Sequence, residues 1–217
     1  YFMLADYHAL NFIQNGVEMK QGILDLALDY LALGLDPQKS VIFKQSDVSE
    51  HTELTWIFDS ITTMPFLERA HAYKDAEAKD KEISVGTFNY PMLMASDILM
   101  YDTDVVPVGQ DQKQHIEYTR DTAQKFNHVF KKEVFKLPEP KILDDVAVVP
   151  GTDGQKMSKS YGNTIPLFAT DEEIEKAVMS IVTDSGADIP QNVYAIHRLL
   201  KTEEELKVLY EVNKGKY

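Results

Sequence analysis

The sequence predicts an α/β protein, a doubly wound parallel sheet followed by a helical segment. Three observations carry that reading. Residues 1–5, 41–43 and 105–108 are short, continuous apolar runs, the pattern of strands covered on both faces rather than of half-exposed strands. Stretches of helical period separate them. The third run also ends in Val108-Gly109 and turns at once into a polar helix, the strand-to-helix step that such sheets repeat.

Taken in order, residues 1–5 read as the interior of a buried strand. Residues 18–33 place Ile23, Ala27 and Leu31 on one stripe, with Gly34 where a left-handed helix end is wanted. Val41, Ile42 and Phe43 complete a strand, helix, strand unit. Asp47 and Ser49 are candidate caps for a helix with Leu54, Ile57, Phe58 and Ile61 on its apolar side, stopped near Pro65. A polar helical arm is expected up to Glu82. Pro91 is placed at the favourable first position of an apolar helix ending at Tyr101, and a long helix is expected over 111–130. Pro138, Pro140, Pro150, Gly151 and Gly154 mark an irregular region ending at Lys156, after which 171–182 and 203–212 are again helical. The domain expectation is a sheet core over 1–165 and the start of a helical domain over 166–217.

Composition narrows the function classes. The 217 residues carry 22 Lys+Arg against 35 Asp+Glu, so the net charge is 22 − 35 = −13. Wholesale binding of a phosphate backbone, which needs clustered cations, is disfavoured unless a local patch or another segment supplies it. With 44% apolar and 26% charged residues the chain can bury a real core. No run approaches the ~18 apolar residues of a membrane-spanning helix. There is no cysteine, which removes disulfides and thiolate chemistry and makes the cytoplasm the expected location. The six histidines show no metal-ligand spacing, so no protein-held metal is expected. The chain opens on Tyr1 in mid-strand and closes on residues 212–217 with nothing apolar after them, so both ends are expected to be cut.

Three places could hold chemistry. Asp97 is an acid inside an apolar helix, with Tyr90, Met94, Ile98 and Tyr101 around it at helical spacing. A buried carboxylate needs a donor, either internal or supplied by an apolar ligand carrying one polar hydrogen. The run Val106-Pro107-Val108-Gly109-Gln110-Asp111-Gln112 ends a strand where open α/β sheets bind ligands: Gly109 admits a ribose or phosphate, and Asp111 and Gln112 can hold hydroxyls. An N-cap with a solvated helix face is the alternative. Asp6, Tyr7 and His8 sit at the matching end of the first strand. Lys156-Met157-Ser158-Lys159-Ser160 puts two ammonium groups in a glycine-flanked loop that is not a Walker A loop and could follow a departing pyrophosphate.

Those five loop residues match the KMSKS signature of class I aminoacyl-tRNA synthetases letter for letter. Together with Tyr90-Pro91-Met92-Leu93-Met94-Ala95-Ser96-Asp97 and Val106-Pro107-Val108-Gly109-Gln110-Asp111, in that order and spacing, the chain resembles the tryptophanyl-tRNA synthetase family over nearly its whole length. The resemblance implies a Rossmann-like nucleotide-binding core. It implies that Asp97 accepts the indole N–H, with Met94, Ile98, Val106, Val108 and His8 lining the indole pocket and Tyr90 and Gln112 holding the amino acid's polar end. Gly109, Gln110 and Asp111 would meet the ATP ribose, Val148 the adenine, and Lys156, Met157, Ser158, Lys159 and Ser160 the phosphates, with Lys156 and Lys159 catalytic. Implied partners are L-tryptophan, ATP with Mg, and tRNA(Trp), in a homodimer with no membrane role. The family's HIGH-type motif would lie upstream of Tyr1 and its anticodon-binding helices beyond Tyr217, so the chain by itself is expected to be inactive. A tyrosine-specific relative and a non-catalytic nucleotide-binding or dimerisation module stay in view as alternatives.

Overall fold

The computed structural model describes residues 1–70, 73–74, 77, 82–142, 149–158, 161–183 and 189–213. The chain divides into two compact units, Tyr1–Lys141 and Ile142–Tyr217. The sequence reading places its division later, after residue 165.

The first unit has the expected α/β class, helices over parallel strands. β1 (Phe2–Leu4) pairs in parallel with β2 (Ile42–Lys44), Phe2 opposite Ile42 and Leu4 opposite Lys44. β3 (Val105–Pro107) pairs in parallel with β4 (Glu139–Lys141), Val105 opposite Glu139. β4 falls in the region read as irregular, because two prolines mask it. Glu139 N–H donates to Asp104 O at 2.9 Å and Lys141 O accepts from Val108 N–H at 3.1 Å, so the missing N–H of Pro140 falls between the ladder's bonds. Neither ribbon is covered on both faces as expected: Phe2, Val41 and Val105 are exposed. Among the described residues each ribbon has only two strands, and the helices cover them in part: the helical residue Tyr30 meets Phe2, and His51 and Tyr101 meet Phe43.

α1 (Asp6–Ala9) follows β1 directly. α2 (Gly16–Ala32) starts where the Asn15 side chain accepts the Val17 and Glu18 N–H groups. It ends in a Schellman motif: Gly34 N–H donates to Leu31 O and Leu35 N–H to Tyr30 O, with Gly34 at φ +94° as expected. α3 (Glu50–Ile61), α4 (Met64–Leu67), α5 (Val85–Leu99) and α6 (Lys113–Phe130) build the core. Phe58, Leu67, Met92, Ala95, Leu99 and Ala123 bury one another there, with Phe126 and Phe135 edge-on to Phe58.

Ser49 stands at the N-cap of α3 without a side-chain cap bond. Pro91 does not open α5. The helix begins six residues earlier, at Val85, where Ser84 Oγ accepts the Thr87 N–H at 3.1 Å, and Pro91 sits inside it. Gly86, Thr87 and Asn89 are weak helix formers, and burial of Pro91 against the core offsets its missing bond. α6 begins at Lys113 rather than 111, after a tight 3-10 turn over Gln110–Gln112. The polar arm to Glu82 lies largely outside the described residues.

The second unit holds α7 (Asp171–Met179), α8 (Gln191–His197) and α9 (Glu203–Val212). Thr170 with Glu173, and Thr202 with Glu205, form capping boxes. α7 stops short of the expected residue 182 because Val182 N–H is drawn to Thr152 O at 2.8 Å. Leu206 and Tyr210 form the buried side of α9, and Tyr210 bonds His197 Nδ1 through its hydroxyl at 3.1 Å. Among the described residues no helix is long and apolar enough to cross a membrane.

Candidate functional site

In the first unit the chemistry gathers on one face of α5. Tyr90, Met94, Asp97, Ile98 and Tyr101 recur at three- and four-residue steps, so α5 and the turn after it bring them into line. The Asp97 side chain is only 6% exposed. Of the two kinds of donor the sequence allows, internal or carried by a ligand, internal ones are present: His8 and Gln45 bond the carboxylate and His51 lies close to it.

His8 Nε2, from α1, lies 2.7 Å from Asp97 Oδ2. Gln45, the first residue past β2, donates its Nε2–H2 group to both carboxylate oxygens, at 2.8 Å to Oδ1 and 3.0 Å to Oδ2. Its Oε1 accepts the Tyr7 N–H at 3.1 Å, tying the start of α1 to the same amide. His51 Nδ1, from α3, is 2.6 Å from Oδ1 but off the line of a good hydrogen bond, and its Nε2 is 2.9 Å from the Tyr101 hydroxyl. With the His51 proton on Nδ1 toward the carboxylate, Nε2 accepts from the Tyr101 O–H. Burial, then the Asp97 charge, raise the Tyr101 pKa, so that hydroxyl stays protonated.

Sequence reasoning missed Gln45 and His51. The signal for Gln45 was its place at the carboxyl end of an apolar run. His51 was hidden because it shares the apolar stripe of α3 with Leu54 and Phe58, where a polar residue reads as a helix flank.

Tyr90 stands two turns further toward the start of α5. Its hydroxyl is 3.0 Å from His115 Nε2 and its ring meets the His8 ring edge-on at 6.3 Å. Burial, with Tyr118 nearby, pushes its pKa up to about 12, so it is a neutral hydrogen-bonding group at any ordinary pH. Tyr90 also borders a cleft of about 330 Å³ whose walls include Tyr7, Trp56, Asp59, Asn89 and Leu93. A larger cleft of about 640 Å³, walled by the loop before α2, the first turns of α2 and Lys44, contains none of the predicted site residues.

Val106 and Val108 are half-buried on and just after β3, Ile98 is buried, and Gln112 ends the tight turn before α6. Gly109 has φ −70°, so its value there is the absence of a side chain and not an unusual backbone. Gly109 and Gln110 are exposed, while the side chain of Asp111 is outside the described residues. Within the first unit the structure therefore joins Asp97, His8 and Tyr90 directly and sets the 109–112 turn at the end of β3.

The lysine loop belongs to the second unit. Pro150 bridges antiparallel to Lys156, Met157 N–H donates to Val149 O at 2.8 Å, and Gly151 N–H to Gln155 O at 2.7 Å. Asn163, 3% exposed, clasps this hairpin. Its Oδ1 accepts the Ser158 N–H at 2.8 Å, and its Nδ2 donates to Asp153 Oδ1 at 2.7 Å and Lys156 O at 3.1 Å. The Asn163 amide, then the Gln155 N–H, hold the Asp153 carboxyl below its usual range. Val148, Lys159 and Ser160 lie outside the described residues. Among the described residues no three His, Asp or Glu side chains converge on a metal-binding position.

Residues 1–216 match the family profile of class I tRNA synthetases (W and Y). A tryptophan–tRNA ligase of Fusobacterium nucleatum is 54% identical over 215 residues, 95% of this chain and 66% of that protein. Its counterpart in Campylobacter jejuni is 49% identical over 220 residues, covering 97% and 69%. A crystal structure of the Campylobacter jejuni tryptophanyl-tRNA synthetase, complexed with ADP and tryptophan, superposes with a TM-score of 0.85 at 48% identity, over 97% of this chain and 67% of that one. The chain thus spans about two thirds of the length of these relatives.

Proposed function

The chain belongs to the class I tRNA synthetases of the tryptophan and tyrosine group, and from that premise we propose that the protein carrying it activates L-tryptophan with ATP and transfers it to tRNA(Trp). A tryptophan carboxylate oxygen attacks the α-phosphorus of ATP, the new P–O bond forms, and the bond to pyrophosphate breaks. A ribose hydroxyl at the tRNA 3′ end then attacks the acyl carbon, loses its proton, and AMP departs.

The observation that carries this reading is Asp97: an acceptor carboxylate on an apolar helix, with one half-open partner, His8. Apolar walls alone separate amino acids of similar size poorly, whereas a buried acceptor rejects a side chain that lacks the matching N–H. Met94, Ile98, Val106 and Val108 would enclose the ring, and Tyr90 and Gln112 would take the ammonium and carboxylate end. Gly109, Gln110 and Asp111 would meet the ribose and Val148 the adenine. Lys156 and Lys159, with Met157, Ser158 and Ser160, would stabilise charge on the phosphates as it moves to pyrophosphate. Magnesium would arrive on the nucleotide, since it prefers phosphate and water oxygens to an all-protein cage. The same proposal places the full protein in the cytoplasm as a homodimer.

The test is amino-acid-dependent exchange of pyrophosphate into ATP by the full-length protein. Exchange with tryptophan and not with tyrosine is expected. No exchange with tryptophan, or equal exchange with tyrosine, overturns the reading.

A further inference from the structure

Asp97 has three protein partners, and their accessibilities differ sharply. Gln45 and His51 are wholly buried, whereas His8 is 23% exposed. No ligand can touch Gln45 or His51 without unfolding the core around them. They come from two separate elements, the end of β2 and α3, and they approach the carboxylate from the buried side.

We propose that Gln45 and His51 are positioning residues for substrate discrimination: they fix the Asp97 carboxylate so that Oδ2, on the His8 side, offers its acceptor direction to a ligand's ring N–H. The inference rests on the reading of Asp97 as the indole acceptor. A carboxylate on Cβ can turn about its terminal torsion, which is broad and roughly two-fold. Gln45 removes that freedom, because an amide nitrogen shared between Oδ1 and Oδ2 locks the carboxylate plane to the Gln45 amide. His51 adds a second contact on Oδ1. His51 is itself stacked on Phe43 and held by the Tyr101 hydroxyl, so its ring cannot swing away. Each oxygen then has one close partner besides Gln45, and only that of Oδ2, the His8 ring, is partly open to solvent. A fixed acceptor discriminates by direction as well as by chemistry, since hydrogen bonds weaken steeply as their angle departs from linear.

The experiment measures, by calorimetry on the full-length protein, the ratio of affinities for tryptophan and for an analogue whose indole N–H is replaced by sulfur. Gln45→Met keeps length and bulk but cannot donate. His51→Leu removes the second contact, and His51→Asn restores a donor near the Nδ1 position. The ratio is expected to fall by about tenfold in Gln45→Met and in His51→Leu, the factor of one well-aligned hydrogen bond, and to return toward wild type in His51→Asn. The KM for tryptophan should rise while the KM for ATP stays within about twofold, a split that a merely loosened core would not produce. Wild-type ratios in Gln45→Met and His51→Leu, in proteins that only melt earlier, overturn the inference while Asp97 stands if Asp97→Asn loses the discrimination. A wild-type ratio in Asp97→Asn overturns both.

Discussion

Gly151 lies against Asn163 so closely that a β-carbon at 151 would overlap the Asn163 amide and come within 2.9 Å of its backbone oxygen. The contact matters because Asn163 is the clasp of the lysine hairpin, holding the Lys156 carbonyl and the Ser158 N–H at once. Gly151→Ala must therefore push the clasp aside. Overpacking of this kind costs about 1–3 kcal/mol. The expected result is a lower melting temperature together with slowed tryptophan-dependent pyrophosphate exchange, and an unchanged affinity for tryptophan measured by calorimetry. Full exchange activity in a protein of reduced stability would detach the clasp from the chemistry.

Lys156→Ala tests the loop itself. A lost preorganised donor to the departing phosphates should slow single-turnover adenylate formation by a factor on the order of 10² to 10³, about 2.7–4 kcal/mol in the transition state. Tryptophan affinity should hardly change. A slowing below about threefold, which is well under 1.4 kcal/mol, would make Lys156 an ordinary surface charge.

The elements legible in the sequence were those with a local physical cause. The Schellman end at Gly34, the helices α2 and α3 and the strand at Val105 each follow from a few adjacent residues, although the expected stripes are buried only in part, with Leu31 of α2 and Ile57 of α3 exposed. β4 was illegible because its pairing with β3 is set by contacts more than thirty residues away and its prolines argue locally against a strand. The start of α5 was misplaced for a related reason: tertiary burial of Pro91 overrides a propensity rule that holds for isolated helices. At the site, Asp97 stood out because an acid in an apolar helix is locally anomalous. Gln45 and His51 did not, since each becomes informative only once folding brings it to Asp97 from 52 and 46 positions away.

Asp59 offers a pH test independent of the site's function. Burial raises its pKa above the ordinary carboxylate value, with the Asn89 amide partly offsetting the effect, and its Oδ1 is buried without a hydrogen-bond partner. Between the ordinary and the raised pKa the folded protein holds a proton that the unfolded chain has released. Stability therefore falls as pH rises through that window and stays lower above it. Asp59→Asn removes the ionisation while its side-chain oxygen can still accept from Asn89. The variant should melt above wild type at pH 7, with the advantage fading below about pH 4, where the wild-type carboxyl is neutral in both states. An advantage of the same size at both pH values would trace it to packing instead.

Asp97→Asn is the sharpest test of the assignment, and the cage around Asp97 decides what it should show. The carboxylate presents two acceptor oxygens to donors from His8, Gln45 and His51. An asparagine presents one oxygen and one N–H2 group, so in either orientation its nitrogen faces a donor. The variant is thus expected to melt below wild type as well as to bind tryptophan more weakly, by ~1.5–3 kcal/mol for a hydrogen bond to a charged group. Lower stability alone cannot distinguish a structural acid from a recognition acid. The distinction comes from the analogue without the indole N–H, which should bind wild type poorly and lose little more in the mutant, because the bond that the mutation weakens is one it never made. Calorimetry is the cleaner readout, since the chain's own Trp56 would overlap the ligand's fluorescence. Equal losses for tryptophan and the analogue would mean that the mutation acts through the cage, and the ring N–H acceptor would have to be sought among other residues.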